Sequence, residues 1–590
     1  MKPVGFSTSP NVVLRLPMWR SRLMLFLLFI AFAALMIRAF WIQGPGNGFY
    51  EAKAIKGVQR EIEMPATRGK ILDRNGQLIA TSLEAKAVIA YTDNIPTDLA
   101  PEKITQLAKL LEISEAEIKK KFSDERNQVF LKRQVDPDIA QQVRRLEIPG
   151  IGLNNEYRRH YPESEAMAHV VGFTNVEDRG QEGIELARDK ELSAQSGKRR
   201  VVVDRLGRIV NDIAVLQFPQ NGQDLQLSID SKVQYIAYNA LKSAVEKHRA
   251  KAGGAVVLDV RSGEILALAN WPSYNPNSRK ALTGEQLRNR VLTDTFEPGS
   301  TMKPFPVALA LEQGKVQPET NMTIGQKLLV GPKPITDTHP YGMLTVSQVI
   351  QKSSNIGTAK LALQLEPREM WDLFAAVGFG QAPNVGFPGA VAGRLHPHQK
   401  WGQSDQARMS FGYGISTSLF QLARAYTIFA RDGELVPTTI LRSPEYKPGT
   451  RIISAKTAVE MRSMLETVTE QGGTAIRARA DGFRVGGKTG TSHKVEGKGY
   501  ATNKYRAFFV GLAPISSPRI VVAVMVDEPS AGGHYGGEVA APVFSTIVSE
   551  TLNTLNVLPD NKVKQMAFDD KKPAEIRTAT NHAQPVALKR

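Results

Sequence analysis

From Leu23 to Ile37 the chain carries no polar side chain, and this run restricts where its N-terminus can reside. A bilayer-spanning helix needs about 20 residues. Leu23–Ile42 supplies them if the Arg38 side chain reaches back to the far interface, where Trp41 also suits the water–lipid boundary. Hydrocarbon offers no partner for backbone N–H and C=O groups, so such a segment must be helical. Bulky Phe40-Trp41-Ile42 stand where cleavage of a signal peptide would require small residues, so the run reads as an uncleaved anchor. Lys2, Arg15, Arg20 and Arg22 precede it, which keeps residues 1–22 in the cytoplasm and exports nearly all of the rest.

A chain of 590 residues leaves room for two or three domains beyond that anchor. The sequence divides into a tail (1–22), the anchor (23–42), a first exported region (43–220), a second (221–556) and a polar tail (557–590) whose lack of periodicity predicts disorder. There is no cysteine, so disulfides, thiolate catalysis and cysteine-based zinc sites are excluded. The nine histidines form no His-Glu-x-x-His pattern, and His396 and His398 flank Pro397 in a loop-like stretch, so no metal or cofactor is expected. The net charge of +17 is spread along the chain without a nucleic-acid-binding motif. It suits a basic surface facing an acidic envelope rather than nucleic acid.

In the first exported region, Arg68–Ala80 reads as two strands around an Asn75-Gly76 turn. Residues 99–146 are charged and helical in pattern, with Ile113–Phe122 the clearest segment. Gly180–Glu185 opens a helix, and Val201–Val210 reads as a second hairpin. Nothing in this region forms a catalytic constellation. The second region predicts an alternating strand at Asp224–Ile229 and an amphipathic helix over Asp230–His248. Strands follow at Ala252–Leu258 and Glu264–Leu268, then a helix at Ala458–Glu466. Strands at Arg506–Ala513 and Arg519–Val526 precede a closing helix at Ala540–Leu552. Strands first and last around a helical middle predict an α+β domain with one antiparallel sheet and helices packed on it.

Three short stretches carry chemistry. In Phe296-Glu297-Pro298-Gly299-Ser300-Thr301-Met302-Lys303, Ser300 and Lys303 are three apart and share a face if a helix begins at Ser300. A serine hydroxyl needs a base to become nucleophilic, and a lysine serves once its pKa is brought down toward neutrality. Pro304 and Pro306 predict an irregular helix before Val307–Gln313. The second stretch, Lys352-Ser353-Ser354-Asn355, offers a hydroxyl (Ser353) to relay a proton and an amide (Asn355) to hold a substrate amide. The third, Gly486–Ser492, offers the fixed charge of Lys488, the hydroxyls of Thr489 and Thr491, and Gly490, a residue type that marks close approach within a strand. Ser-x-x-Lys alone arises by chance about once in such a chain. The three together, in this order, form the motif set of penicillin-binding proteins and serine β-lactamases.

On these motifs, and on Ser410-Phe411-Gly412-Tyr413-Gly414, Tyr535-Gly536-Gly537, Arg68–Ala80 and Gly172–Val176, the chain resembles the class B penicillin-binding proteins, the septal peptidoglycan transpeptidases most closely. The resemblance runs from the anchor to about residue 555. It implies a pedestal or dimerisation domain at 43–220 and a transpeptidase domain at 221–556. It implies a serine-type D-Ala-D-Ala transpeptidase/carboxypeptidase in which Ser300 is the acyl-ester nucleophile and Lys303 the general base. Ser353 and Asn355 would serve proton transfer and amide binding, and Lys488, Thr489, Gly490 and Thr491 would bind the terminal carboxylate. The backbone N–H groups of Ser300 and Thr491 would form the oxyanion hole. Implied partners are peptidoglycan stem peptides, β-lactam antibiotics, a membrane glycan polymerase (FtsW-like) and other division proteins. The implied location is the bacterial inner membrane at the division site, single-pass, with the catalytic domain periplasmic. An elongation-type transpeptidase shares all three motifs, and a β-lactam sensor or an inactive scaffold are the alternatives from other classes.

Overall fold

A computed structural model describes residues 17–43, 59–203, 209–278, 282–332, 334–497 and 499–561. The predicted disordered tail from 562 onward, most of the cytoplasmic tail and the 204–208 turn of the second hairpin lie outside the described residues. The chain divides into two compact units that do not follow sequence order: Met1–Thr67 with Ala194–Gly222, and Arg68–Ser193 with Gln223–Arg590.

The first unit contains the helix Met18–Gln43, with a mean hydropathy of 2.5 over its apolar window and no buried residue. Among the described residues it is the one helix long and apolar enough to cross a membrane. The same unit holds a three-stranded sheet in the order Gln59–Met64, Gly197–Val203, Ile209–Gln217, each pair antiparallel. The last two strands are the hairpin predicted at Val201–Val210, extended at both ends.

The second unit begins with the other predicted hairpin. Ile71–Leu72 pairs with Leu78–Ala90 across a turn in which Gly76 N donates to Asp73 O at 3.1 Å and Gly76 adopts φ +84°. Leu78–Ala90 also pairs with Val129–Val135 and Ile151–His160, and Leu225–Gln226 adds in parallel to Ile71–Leu72. Helices Pro101–Leu111, Glu115–Phe122 and Pro137–Arg145 close a local core of Val88, Leu107, Leu111, Ile118, Leu131 and Val143. The 99–146 stretch is therefore helical except for the strand Val129–Val135. There Val129, Leu131 and Val135 are buried between charged neighbours, a short alternation that the surrounding charge hides. Of the strand predicted at Asp224–Ile229 only Leu225–Gln226 forms, because Asp230 is taken up as the N-cap of the next helix.

That helix, Ser231–Lys247, starts where the Asp230 carboxylate accepts from Lys232 N and Val233 N, two of the donors a helix start leaves open. It lies on a five-stranded antiparallel sheet in the order Ile265–Trp271, Ala252–Asp259, Ile520–Asp527, Gly499–Ala513, Gly486–Glu496. Both faces are covered. A Cβ at Gly253 would meet Leu241 and Val245 of this helix, whereas one at Gly254 would meet Val291 and Leu419 on the other side. Consecutive residues of a strand point to opposite faces, so helices pack above and below. The central strand Ile520–Asp527 is buried throughout, which explains why it reads as an unbroken apolar run instead of an alternation. Each Val, Ile or Met so buried contributes about 1.5–3 kcal/mol of apolar transfer. The closing helix Gly536–Thr554 packs beside Ser231–Lys247 on the same face, and the edge strands are Ile265–Trp271 and Gly486–Glu496.

Candidate active site

Ser300 does not begin a helix. It sits in a single 3₁₀ turn, Gly299–Met302, and the α-helix begins after it at Pro304–Glu312 with Lys303 in the N-cap position. The prolines set this register: a helix leaves its first N–H groups unpaired, so Pro304 and Pro306 fit only in the opening turn. The turn is held from behind. Thr301 Oγ1 donates to Pro298 O at 2.7 Å, and the fully buried Tyr426 donates its hydroxyl to Thr301 O at 2.6 Å. Ser300 stays partly exposed, while Thr301, Met302 and Lys303 are buried.

The Lys303 ammonium meets the second motif. Its Nζ donates to Ser353 O at 2.5 Å and to Ser353 Oγ at 3.1 Å. Ser353 ends the helix Val346–Lys352 in the left-handed region, φ +60°, and this bend presents its carbonyl and hydroxyl together. Burial pushes Lys303 down to about 7, against the carboxylate of Asp337, which favours the charged form. Asn355 opens the next helix, and its side-chain amide donates to Thr336 O at 2.9 Å.

The third motif is the edge strand Gly486–Glu496 itself, not a turn. Lys488 is fully buried, and its Nζ donates to Thr489 Oγ1 at 3.3 Å. Burial, and then the nearby charge of Lys303, hold Lys488 well below its ordinary range. Two buried lysines thus stand near one another, one bonded to Ser353 and the other to Thr489. Thr489 Oγ1 also shares a hydrogen bond with Thr474 Oγ1 at 2.9 Å, and Thr491 Oγ1 accepts from Gly536 N at 3.2 Å.

The Ser300 turn seats directly on this strand. A Cβ at Gly490 would lie 2.8 Å from the Thr301 methyl and 3.0 Å from Pro298 O, so Gly490 is the gap that lets the turn approach. On the other side, a Cβ at Gly412 would lie 2.1 Å from Gly299 O. Gly299 itself faces the Thr491 peptide, 3.2 Å from its oxygen and 3.7 Å from its nitrogen measured from an added Cβ. The structure thus joins Lys303 to Ser353 by direct contact, sets Ser300 one turn before Lys303, whose backbone N donates to Ser300 O at 3.3 Å, and backs that turn with the strand of Lys488, Thr489, Gly490 and Thr491. Asn355 stands two residues after Ser353.

Two carboxylates of this neighbourhood make contacts that the motifs do not foretell. Glu297, three residues before Ser300, accepts from Gly414 N at 2.9 Å and from the Tyr500 hydroxyl at 3.0 Å, joining the Ser300 turn to two distant segments. Asp337 accepts from Ser354 Oγ and from Asn355 N. Both sets of contacts arise by tertiary folding, so no local spacing marks them.

The chain matches the sequence profile of the penicillin-binding protein transpeptidase domain over residues 253–549 and that of the penicillin-binding protein dimerisation domain over residues 63–227. It is 41% identical to the probable peptidoglycan D,D-transpeptidase PenA of Neisseria gonorrhoeae over 533 residues, 90% of this chain and 92% of that one. It is 37% identical to the peptidoglycan D,D-transpeptidase FtsI of Escherichia coli over 547 residues, 92% of this chain and 93% of that one. Among solved structures, the apo transpeptidase domain of Burkholderia pseudomallei penicillin-binding protein 3 is 55% identical with a TM-score of 0.53. The match covers 57% of this chain and 97% of that one.

Proposed function

The chain belongs to the penicillin-binding protein transpeptidases, and from that premise we propose that it is a membrane-anchored peptidoglycan D,D-transpeptidase working through an acyl-serine intermediate. The observation that carries the mechanism is the Lys303 amine: fully buried, brought down to about 7, and seated on Ser353 directly after the nucleophile turn.

Ser300 Oγ attacks the carbonyl of the penultimate D-Ala of a stem peptide as Lys303 takes its proton. The tetrahedral oxyanion is held by the N–H groups of Ser300 and Thr491, and one such donor is worth about 2.7–4 kcal/mol. The C–N bond breaks, the terminal D-Ala leaves with a proton relayed through Ser353, and an ester remains on Ser300. The amine of a neighbouring stem then attacks the ester, closing the cross-link and returning Ser300. Water in place of that amine gives the carboxypeptidase outcome. Lys488, Thr489 and Thr491 hold the terminal carboxylate, Asn355 holds a stem amide, and Gly490 admits the nucleophile turn. A β-lactam acylates Ser300 by the same first step.

We place the protein in the inner membrane at the division site, with residues 1–22 cytoplasmic and the catalytic domain periplasmic. Its partners there are a multi-spanning glycan polymerase and other division proteins. The apolar helix Met18–Gln43 and the likeness over nearly the whole chain to a relative named FtsI support this reading. Depletion tests the role: filaments mean septal synthesis, round cells elongation. Intact-mass labelling with a fluorescent penicillin tests the chemistry. One stable adduct on the wild type, absent in Ser300→Ala, is expected; an adduct that survives Ser300→Ala refutes the assignment.

A further inference from the structure

The segment Thr336-Asp337 belongs to none of the three motifs, yet it clamps the second. Asp337 Oδ2 accepts from Ser354 Oγ at 2.5 Å, and Oδ1 accepts from Asn355 N at 2.5 Å and Ile356 N at 3.0 Å. Thr336 O takes the Asn355 side-chain amide at 2.9 Å. These donors stand at the start of the eight-residue helix Asn355–Ala362, where N–H groups have no partner within the helix and partial positive charge collects. Ser354 is fully buried, and its Oγ also accepts from Gly357 N at 2.9 Å, so the hydroxyl is fixed from both sides.

The residue just before this clamp is Ser353, whose left-handed backbone is a strained conformation that persists only where the surroundings impose it. The helix Val346–Lys352 fixes one end of the bend, and Asp337 fixes the other through Ser354 and Asn355. The bend is what turns Ser353 O and Oγ toward Lys303 Nζ.

We propose that Asp337 is a positioning residue for acylation: it locks the Ser353–Asn355 bend that seats the Lys303 amine. The inference rests on the reading of Ser300 and Lys303 as nucleophile and base. The charged groups that act across this space are Asp337, which favours the ammonium of Lys303, and Lys488, whose own charge Lys303 disfavours. An asparagine at 337 keeps an acceptor for the backbone donors and removes the charge. A glutamate keeps the charge and displaces the acceptor.

The test is the rate of acylation by a fluorescent penicillin between pH 5 and 9, on the detergent-solubilised full chain, for the wild type, Asp337→Asn and Asp337→Glu. Asp337 favours the ammonium of Lys303, and loss of such an opposite charge moves a titration by about one pH unit. Asp337→Asn is therefore expected to shift the acid limb of the profile downward by that amount and to lower the plateau, as the amine becomes a weaker base. Asp337→Glu is expected to keep the wild-type midpoint and to lose about 100-fold in plateau rate, the effect of a misplacement near 1 Å. A purely structural aspartate would leave both midpoints unmoved. A wild-type midpoint in Asp337→Asn overturns the proposal, and so does a wild-type plateau in Asp337→Glu should Asp337→Asn fail to fold. Failure of the underlying mechanism is read separately, as labelling that persists in Ser300→Ala.

Discussion

Replacing Lys303 with methionine separates what this residue does for catalysis from what it costs the fold. The side chain is fully buried, and burial brings it to about 7 from an unfolded-state value near 10.4. The folded pKa is the lower of the two, so the unfolded chain binds the proton more tightly. The resulting penalty is complete below pH 7, shrinks as pH rises and vanishes above about 10.4. At 1.36 kcal/mol per unit the full penalty is about 5 kcal/mol, and between pH 6 and pH 9 it falls by about 3 kcal/mol. Methionine has a similar length and no charge, so the stability of Lys303→Met relative to wild type should fall by about 3 kcal/mol from pH 6 to pH 9. Any constant packing difference cancels in that comparison. Denaturant unfolding of both proteins at the two pH values, followed by tryptophan fluorescence, measures it, and penicillin labelling of the same samples should show no adduct on the variant. A stability difference that stays flat across this range would refute the depressed lysine, and with it the argument that Lys303 is available as a base at neutral pH.

Two other changes probe the packing that carries the site. Glu185 is fully buried and accepts from Arg68 Nε at 2.6 Å and Arg159 Nε at 2.7 Å, so Glu185→Ala leaves two buried guanidinium groups short of their partner. A loss of about 3–5 kcal/mol in unfolding free energy is expected, with the acylation rate of the folded protein unchanged. Gly412→Ala places a methyl 2.1 Å from Gly299 O and so displaces the nucleophile turn; acylation should fall by about 100-fold while binding of the β-lactam before reaction weakens far less, a split that stopped-flow labelling resolves.

The sequence disclosed the catalytic sheet well, because its strands are long, apolar and bounded by turns. It also disclosed the three motifs, because Ser300, Lys303, Ser353 and Lys488 are residue types with few uses in such company. What stayed hidden depends on contacts between distant segments. The Val129–Val135 strand is fixed by pairing with Leu78–Ala90, not by its own charged composition. Ser300 lies in a 3₁₀ turn because Pro304 and Pro306 force the helix to begin after it, an irregularity the prolines foretell without giving its form. Asp337 and Glu297 look like ordinary polar residues until the fold brings them to Ser354 and Tyr500.

The order of strands in the catalytic sheet also dictates when the enzyme can come into being. Ala252–Asp259 has its partner in Ile520–Asp527, and Asp259 meets Arg519 across 260 positions of chain. Such closure is slow, since the loop entropy must be lost before any contact rewards it. During synthesis the early strand therefore waits, apolar and unpaired on one edge, while the Ser300 segment and everything up to Arg519 is made. Ser300 is made near the middle of the chain but acquires its backing strand only from residues after Val485. A chain interrupted before that point would carry the serine and the lysine without the strand that backs them.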